Sequence, residues 1–431
     1  MNSSSNIFGI LIGVLACVAL VFADFKMPTS AAESSYLRTF YVAGHMFLEG
    51  KSKELYLPPG ASAFAGTPID REAHKLNPSL PQTSSAEFVE APILALLFAP
   101  FALLPPQWSL LLFQALSLVA LALATESILE TTRKGEGDLA QQAAALSLTA
   151  LIFFPLLLSI WLGQSAVVFG MLPLAFGLRL VLTKKPIQAG LVLSLCLLKP
   201  QFLIPALFLA TAMVVGKRPK CFISMCWGMF VILLLNFVIF GSDTMLSWLN
   251  ALKSSESVYS DFSSNIAANL GCGLVHSTLP LISANLRATL APAIYGFGIF
   301  IGILGYITAL RLAQAELKDE VKLSAIIIMG IFITPLAVPH IFLSDYSIYY
   351  IAGLLAMTTS WSPARKWEFK SITRMSWLII DAYMVAVVVV PQYAYALILI
   401  LFMLVLYRRL LEVVETMRVK DAVEPVPMAT Y

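Results

Sequence analysis

Apolar residues in this chain gather in long unbroken runs, without the alternation of a strand or the narrow stripe of a surface helix. The runs lie near residues 7–24, 90–105, 107–129, 142–160, 163–182, 187–215, 221–241, 289–313, 321–339, 346–360, 374–391 and 393–411. About 20 apolar residues cross a bilayer as a helix, and only helices or closed barrels satisfy their backbone groups there. A barrel strand would alternate at period two, which these runs do not. The pattern predicts an all-α polytopic membrane protein of about twelve transmembrane helices.

Polar residues occupy what remains. Segments 25–89 and 242–288 are the long ones, and Pro339 to Asp345 is a short turn. Cytoplasmic loops of membrane proteins are enriched in Lys and Arg. Clusters Lys217-Arg218-Pro219-Lys220, Arg311 to Lys322, Arg365 to Lys370 and Arg408-Arg409 all fall inside when both chain ends are inside. The same count leaves Arg133-Lys134 and Lys184-Lys185 outside. They move inside if one of the proline-broken runs, 90–105 or 187–215, is re-entrant. The expected organisation is one membrane domain over 1–411, with a large first extracytoplasmic loop at 25–89, a second at 242–288, and a cytoplasmic tail at 412–431. The first run lacks a basic start and a small-residue cleavage site, so it is expected to stay as a span.

Composition sharpens this picture. Of 431 residues, 59% are hydrophobic and only 12% charged, against roughly 25% charged in soluble domains. A net charge of +3, dispersed between the runs, implies no nucleic-acid partner. The five cysteines are scattered, mostly inside apolar runs, which argues for packing and against a disulfide framework. No metal and no cofactor is predicted.

Ionisable residues inside or beside apolar runs are costly and point to function. Lys199 stands isolated between Leu198 and Pro200; it either holds an anion such as phosphate or snorkels to the interface. Glu90 opens a run, facing either a functional cavity or boundary water. Gln164 follows Gly163 at a run end, where its amide could orient sugar hydroxyls or serve helix packing. His340 and Asp345 share the short outer turn as candidate hydrogen-bonding groups. Residues 36–48, with apolar groups at 37, 40, 41, 47 and 48, read as an amphipathic interfacial helix or a packed structural loop, with Arg38 as a further cation.

Several of these segments resemble glycosyltransferase family 87, the polyprenol-phosphate-mannose-dependent α-mannosyltransferase-like group of the GT-C superfamily. Phe40-Tyr41-Val42-Ala43-Gly44, Gly50 and Leu55-Tyr56 are similar to its first-loop pattern. Ala91-Pro92-Ile93 and Leu96 to Pro105 resemble its second span. Leu162-Gly163-Gln164-Ser165, Ala189-Gly190-Leu191 with Leu198-Lys199-Pro200-Gln201, and Thr334-Pro335 to His340 and Asp345 follow in order. The chain reads as a divergent member, because the family's first-loop acid, its catalytic base, aligns with Tyr36.

The resemblance implies a membrane glycosyltransferase of GT-C-like fold. It would move a hexose such as mannose from a polyprenyl-phosphate donor to a lipid or glycan acceptor, on the extracytoplasmic side of the cytoplasmic membrane, in one inverting displacement. Such transfer needs a carboxylate for the acceptor proton and cationic or hydrogen-bonding groups for the departing phosphate. Glu33, one helical turn before Tyr36, and Asp24, at the end of the first run, are the leading candidates for the base, with Glu90 and Asp261 behind them. Lys199, Gln164, His340, Asp345, Arg38 and Glu90 are the expected substrate-binding residues. A lipid-linked-substrate transporter or flippase and a catalytically inactive GT-C scaffold are the competing readings.

Overall fold

A computed structural model describes residues 3–58, 64–132, 139–259, 284–338, 341–389 and 394–420. Among the described residues the fold is helical throughout, with no strand. The main helices are α1 (Ser3–Lys26), α2 (Tyr41–Leu48), α3 (Pro68–Leu76), α4 (Pro106–Thr132), α5 (Leu139–Ala150), α6 (Phe154–Trp161), α7 (Leu172–Leu182), α8 (Pro186–Leu193), α9 (Leu203–Val215), α10 (Lys220–Tyr259), α11 (Ala284–Ala313), α12 (Asp319–Ala337), α13 (Tyr349–Thr358), α14 (Pro363–Val389) and α15 (Ala394–Lys420).

By length and apolarity, four helical segments among the described residues can cross a bilayer: Pro106–Thr132, Lys220–Leu252, Gly296–Ala313 and Asp319–Ala337. The pair α5 and α6, bent by 94° at their junction, makes a fifth if taken as one broken span. Helix α12 is the centre of the bundle, its side chains from Leu323 to Leu336 buried. Helix α10 is peripheral and turns Trp227, Phe230, Phe237 and Val238 outward, as a lipid-facing helix does.

The described residues do not reach the expected count of about twelve, and several of the apolar runs are broken. Run 90–105 holds only a short helix, Ile93–Phe98, and one further turn, Phe101–Leu103, before the chain extends at Leu104. Run 187–215 is a hairpin. Pro200 disfavours helical backbone at the residue before it, and Lys199 accordingly sits at φ −136°, ψ 83°. Arm α8 runs beside α10 from the same end: Gly190 lies against Cys221 and Ser224, and Gly228 against Ser194. Arm α9 then returns to Gly216, just before α10 begins. Each arm, at about 1.5 Å per residue, reaches roughly 20 Å, short of the ~30 Å hydrocarbon core.

The hairpin therefore returns Lys184-Lys185 to the end that carries Lys217 to Lys220. Polar contacts bring the Arg311 to Lys322 cluster, the approach to Arg365 and the helix carrying Arg408-Arg409 to that end, while Arg133-Lys134 lies outside the described residues. Arg218 meets Asp319 at 2.6 Å, Glu320 accepts from the Ser360 N–H at 2.9 Å, and Arg311 meets Glu415 at 3.9 Å.

The described part of segment 25–89 is folded and tightly packed. Tyr36, Leu37, Phe40, Tyr41, Val42, Ala43 and Met46 are buried, and the α2 backbone at Gly44 packs directly on the backbone of Phe98 and Ala99. Of the two readings open for residues 36–48, the packed element is the one found. Helix α3 is held at its start: Thr67 Oγ1 accepts from the Asp70 N–H at 3.4 Å, as an N-cap does. The Asp70 carboxylate accepts from the N–H groups of Gly66 (2.7 Å) and Ala86 (2.8 Å), tying both ends of that segment together.

Candidate functional site

The tip of the hairpin puts a lysine where its ammonium must find partners, since an unpaired charge in an apolar interior is prohibitively costly. Lys199 Nζ lies 3.3 Å from Glu90 Oε1 and 3.4 Å from Asp345 Oδ1. Gln164 Oε1 accepts from the same ammonium at 3.5 Å. The side chains of Lys199, Asp345 and Glu90 are 1%, 0% and 14% exposed, so Glu90 alone of the three touches the outside. The Phe342 ring lies 5.9 Å from Nζ and adds a cation–π contact.

Each partner is held by its own element. The backbone around Glu90 is fixed at three points: its own carbonyl accepts from the Tyr56 hydroxyl at 2.8 Å, the Val89 carbonyl accepts from Trp248 Nε1 at 3.1 Å, and the Ile93 N–H donates to Asn236 Oδ1 at 2.7 Å. Asp345 Oδ2 accepts from Gln201 Nε2 at 3.2 Å and from the Phe342 N–H at 3.0 Å. Gln164 follows a turn that only glycine makes without strain: Gly163 has φ +61°, and a Cβ there would lie 2.5 Å from Tyr36 Cβ. The Tyr36 N–H donates to the Leu162 carbonyl at 2.9 Å, so the first loop grips this turn directly.

Two carboxylates around one ammonium leave a formal charge of −1. Lys199 is thus paired with one carboxylate more than neutrality needs. Four of the nine residues singled out from the sequence thus meet at one point: Lys199, Gln164, Glu90 and Asp345. The others lie elsewhere or cannot be placed. Glu33 is exposed and accepts from Ser84 Oγ at 2.8 Å; Arg38 donates to the Ser85 carbonyl at 3.0 Å. Asp24 is buried beside the Gln114 amide. Gln114 donates to the Trp161 carbonyl at 3.1 Å, beside the Gln164 turn. His340 and Asp261 fall outside the described residues.

Tyr36 occupies an aromatic core. Its ring stacks on Phe113 at 5.0 Å and meets Phe98 edge-on at 5.7 Å, and its hydroxyl bonds Ser109 Oγ at 2.8 Å. Burial pushes that hydroxyl further above its ordinary range, so it is no base at neutral pH.

A second charged group lies on the first loop. His45, Glu49 and Glu72 bring ligand atoms within 4.8 Å of one another. Lys75 meets Glu72 at 2.8 Å and Lys51 meets it at 3.5 Å, so lysines already offset these carboxylates and the group reads as a salt-bridge network joining α2 to α3.

The sequence marked Gln201 only as part of the segment around Lys199, and it passed over Asn236 and Trp248. Asn236 carried a usable signal, a lone amide within an apolar run. Trp248 carried none, since an indole is at home in such a helix.

Among known families, the model described as Glycosyltransferase family 87 matches residues 88–339. No curated protein and no solved structure matches the chain. The matched stretch contains Glu90, Gln164 and Lys199, and it ends before Asp345.

Proposed function

The chain belongs to glycosyltransferase family 87, and from that premise we propose that it transfers a hexose such as mannose from a polyprenyl-phosphate donor to an extracytoplasmic acceptor. Membership makes it a membrane glycosyltransferase with a sugar donor and an acceptor substrate. The observation that supports the finer reading is the buried Lys199 held between Glu90 and Asp345.

In this reading Glu90, the wettest of the three, takes the proton from the acceptor hydroxyl. The acceptor oxygen forms its bond to the anomeric carbon as that carbon's bond to the phosphate oxygen breaks, inverting the centre. The electron pair leaves with the lipid phosphate. Protonation of Glu90 removes one of the two negative charges facing Lys199, so the ammonium becomes available to the phosphate as the phosphate gains charge. Asp345, fully buried and held by Gln201 and Phe342, anchors Lys199 throughout. Gln164 orients sugar hydroxyls. Glu33 and Asp24, the bases favoured by sequence position, are replaced in this proposal by Glu90, because Lys199 pairs with Glu90.

The test is transfer of radiolabelled hexose from a synthetic polyprenyl-phosphate sugar in membranes containing the chain. Glu90→Gln and Lys199→Met are expected to abolish transfer, while Glu33→Gln and Asp24→Asn retain it. Full activity in Glu90→Gln would remove the base assignment. Counterflow of a lipid-linked substrate in proteoliposomes that transfer no sugar would favour a transporter.

A further inference from the structure

We propose that Asp381 and Trp377, one turn apart on α14, form a clamp that positions both halves of the Lys199 site. This inference rests on the transferase reading for its activity readout. Helix α14 lies beyond residue 339, outside the stretch that matches the family model.

Helix α6 carries the Gln164 turn at its C-terminal end, and it begins at a sharp bend after α5. Phe153, the residue at its N-cap, is extended (φ −71°, ψ 106°) and has no side chain able to cap the helix. The second helical residue is Pro155, which has no N–H, so Phe154 supplies the first free donor. A free donor away from water needs an acceptor. Asp381 Oδ1 accepts from the Phe154 N–H at 3.0 Å, from a helix 227 residues further along the chain. A carboxylate placed there also faces the positive end of the helix.

Trp377 holds the other side of the same bend. Its ring stacks on Phe153 at 4.7 Å with 13° between planes, and its Nε1 donates to the Tyr349 carbonyl at 2.9 Å. Tyr349 directly follows the Leu343–Ile348 turn that carries Asp345. The ring can approach α13 only because residue 353 is glycine: a Cβ at Gly353 would lie 2.6 Å from Trp377 Cζ2. Residues at i and i+4 share a helix face, so one face of α14 grips the helix leading to Gln164 and the turn holding Asp345. Asp381 is thus a positioning residue that acts through the start of α6.

Cap and charge are separable by substitution, because asparagine offers an acceptor oxygen without the charge and leucine offers neither. The purified protein in nanodiscs would be compared as the unaltered chain, Asp381→Asn and Asp381→Leu, by amide hydrogen exchange over residues 154–164 and by sugar-transfer kinetics. Asp381→Leu is expected to speed exchange in that segment at least tenfold. Its kcat should fall roughly tenfold to a hundredfold, with KM for the donor within about twofold, as misplacement of a positioned group does. Asp381→Asn should resemble the unaltered chain in both. Trp377→Phe, which keeps the stack and loses the indole N–H, should loosen residues 343–349 and leave 154–164 protected. If Asp381→Asn loosens as much as Asp381→Leu, or if neither loosens, the clamp is overturned. If the unaltered chain transfers no sugar, the transferase proposal fails, and the exchange data still judge the clamp.

Discussion

At the scale of single residues, Lys199 decides most. Replacing it by methionine leaves Glu90 and Asp345 side by side without their cation, and breaking a buried ion pair from one side costs about 3–5 kcal/mol. Lys199→Met should therefore lower the thermal midpoint in detergent, and Glu90→Gln should lower it less, because Asp345 keeps Lys199 paired and Glu90 is already part-exposed. Equal midpoints for the two variants would contradict this ranking. Tyr36 gives the opposite expectation. Its buried hydroxyl is harder to ionise in the fold than in the unfolded chain, so its contribution to stability is complete below the unfolded pKa near 10 and is lost as pH rises beyond it. Tyr36→Phe should retain transfer with an unchanged pH profile up to pH 9, losing about 1 kcal/mol for the bond to Ser109. A shifted alkaline limb in that variant would mean that the tyrosine takes part in the chemistry. Lys199, Glu90, Gln164 and Asp345 were legible in the sequence because each is a costly side chain beside an apolar run. Asp381 shows the same signal within run 374–391 and went unread, since its partner is a backbone N–H that no side-chain pattern announces. Glu33 was chosen for nearness to Tyr36 along the chain and Asp24 for its place at the end of the first run, and neither position says much about nearness to a lysine far downstream.

At the scale of elements, proline and glycine set the breaks. Pro200 turns an apolar run that would otherwise read as one long span into two arms, and the sequence left this reading open by marking the break without fixing the direction of return. That direction follows from packing of α8 along α10 through Gly190 and Gly228, small residues that let helices approach closely in membranes. The amphipathic alternative for residues 36–48 failed for a related reason. Its apolar groups face protein on nearly all sides, a partition that spacing alone does not distinguish from a lipid face. Gly163 is a buried weak point among these turns. Gly163→Ala forces a side chain into a left-handed backbone position and against Tyr36, a strain of about 1–3 kcal/mol. We expect most transfer activity to be lost while the variant still inserts and purifies; an alanine variant with full activity would show that the Tyr36 contact can yield.

For the whole molecule, the gathering of basic residues at one end is the testable property. If the hairpin begins and ends at that end, cysteines placed at Lys184 and Lys217 should react with a membrane-impermeant maleimide from the same side of sealed vesicles. In a straight crossing by residues 187–215 they would react from opposite sides. The helical class and membrane location were readable from run length alone, while the crossing number was not, because run length counts apolar residues and cannot see that a helix has bent back.

The Lys199 site also has a history in time. Glu90 precedes Lys199 in the chain, whereas Asp345 follows it by 146 residues. At roughly 5–20 residues per second of synthesis, Asp345 emerges about 7–30 s after the lysine. For that interval the hairpin tip has one acid to meet, so Glu90 serves as its first partner and Asp345 completes the assembly. A ribosome that stops between residues 200 and 340 leaves Lys199 with Glu90 alone, a pair of net charge zero that still lacks the buried carboxylate anchoring it in the finished fold.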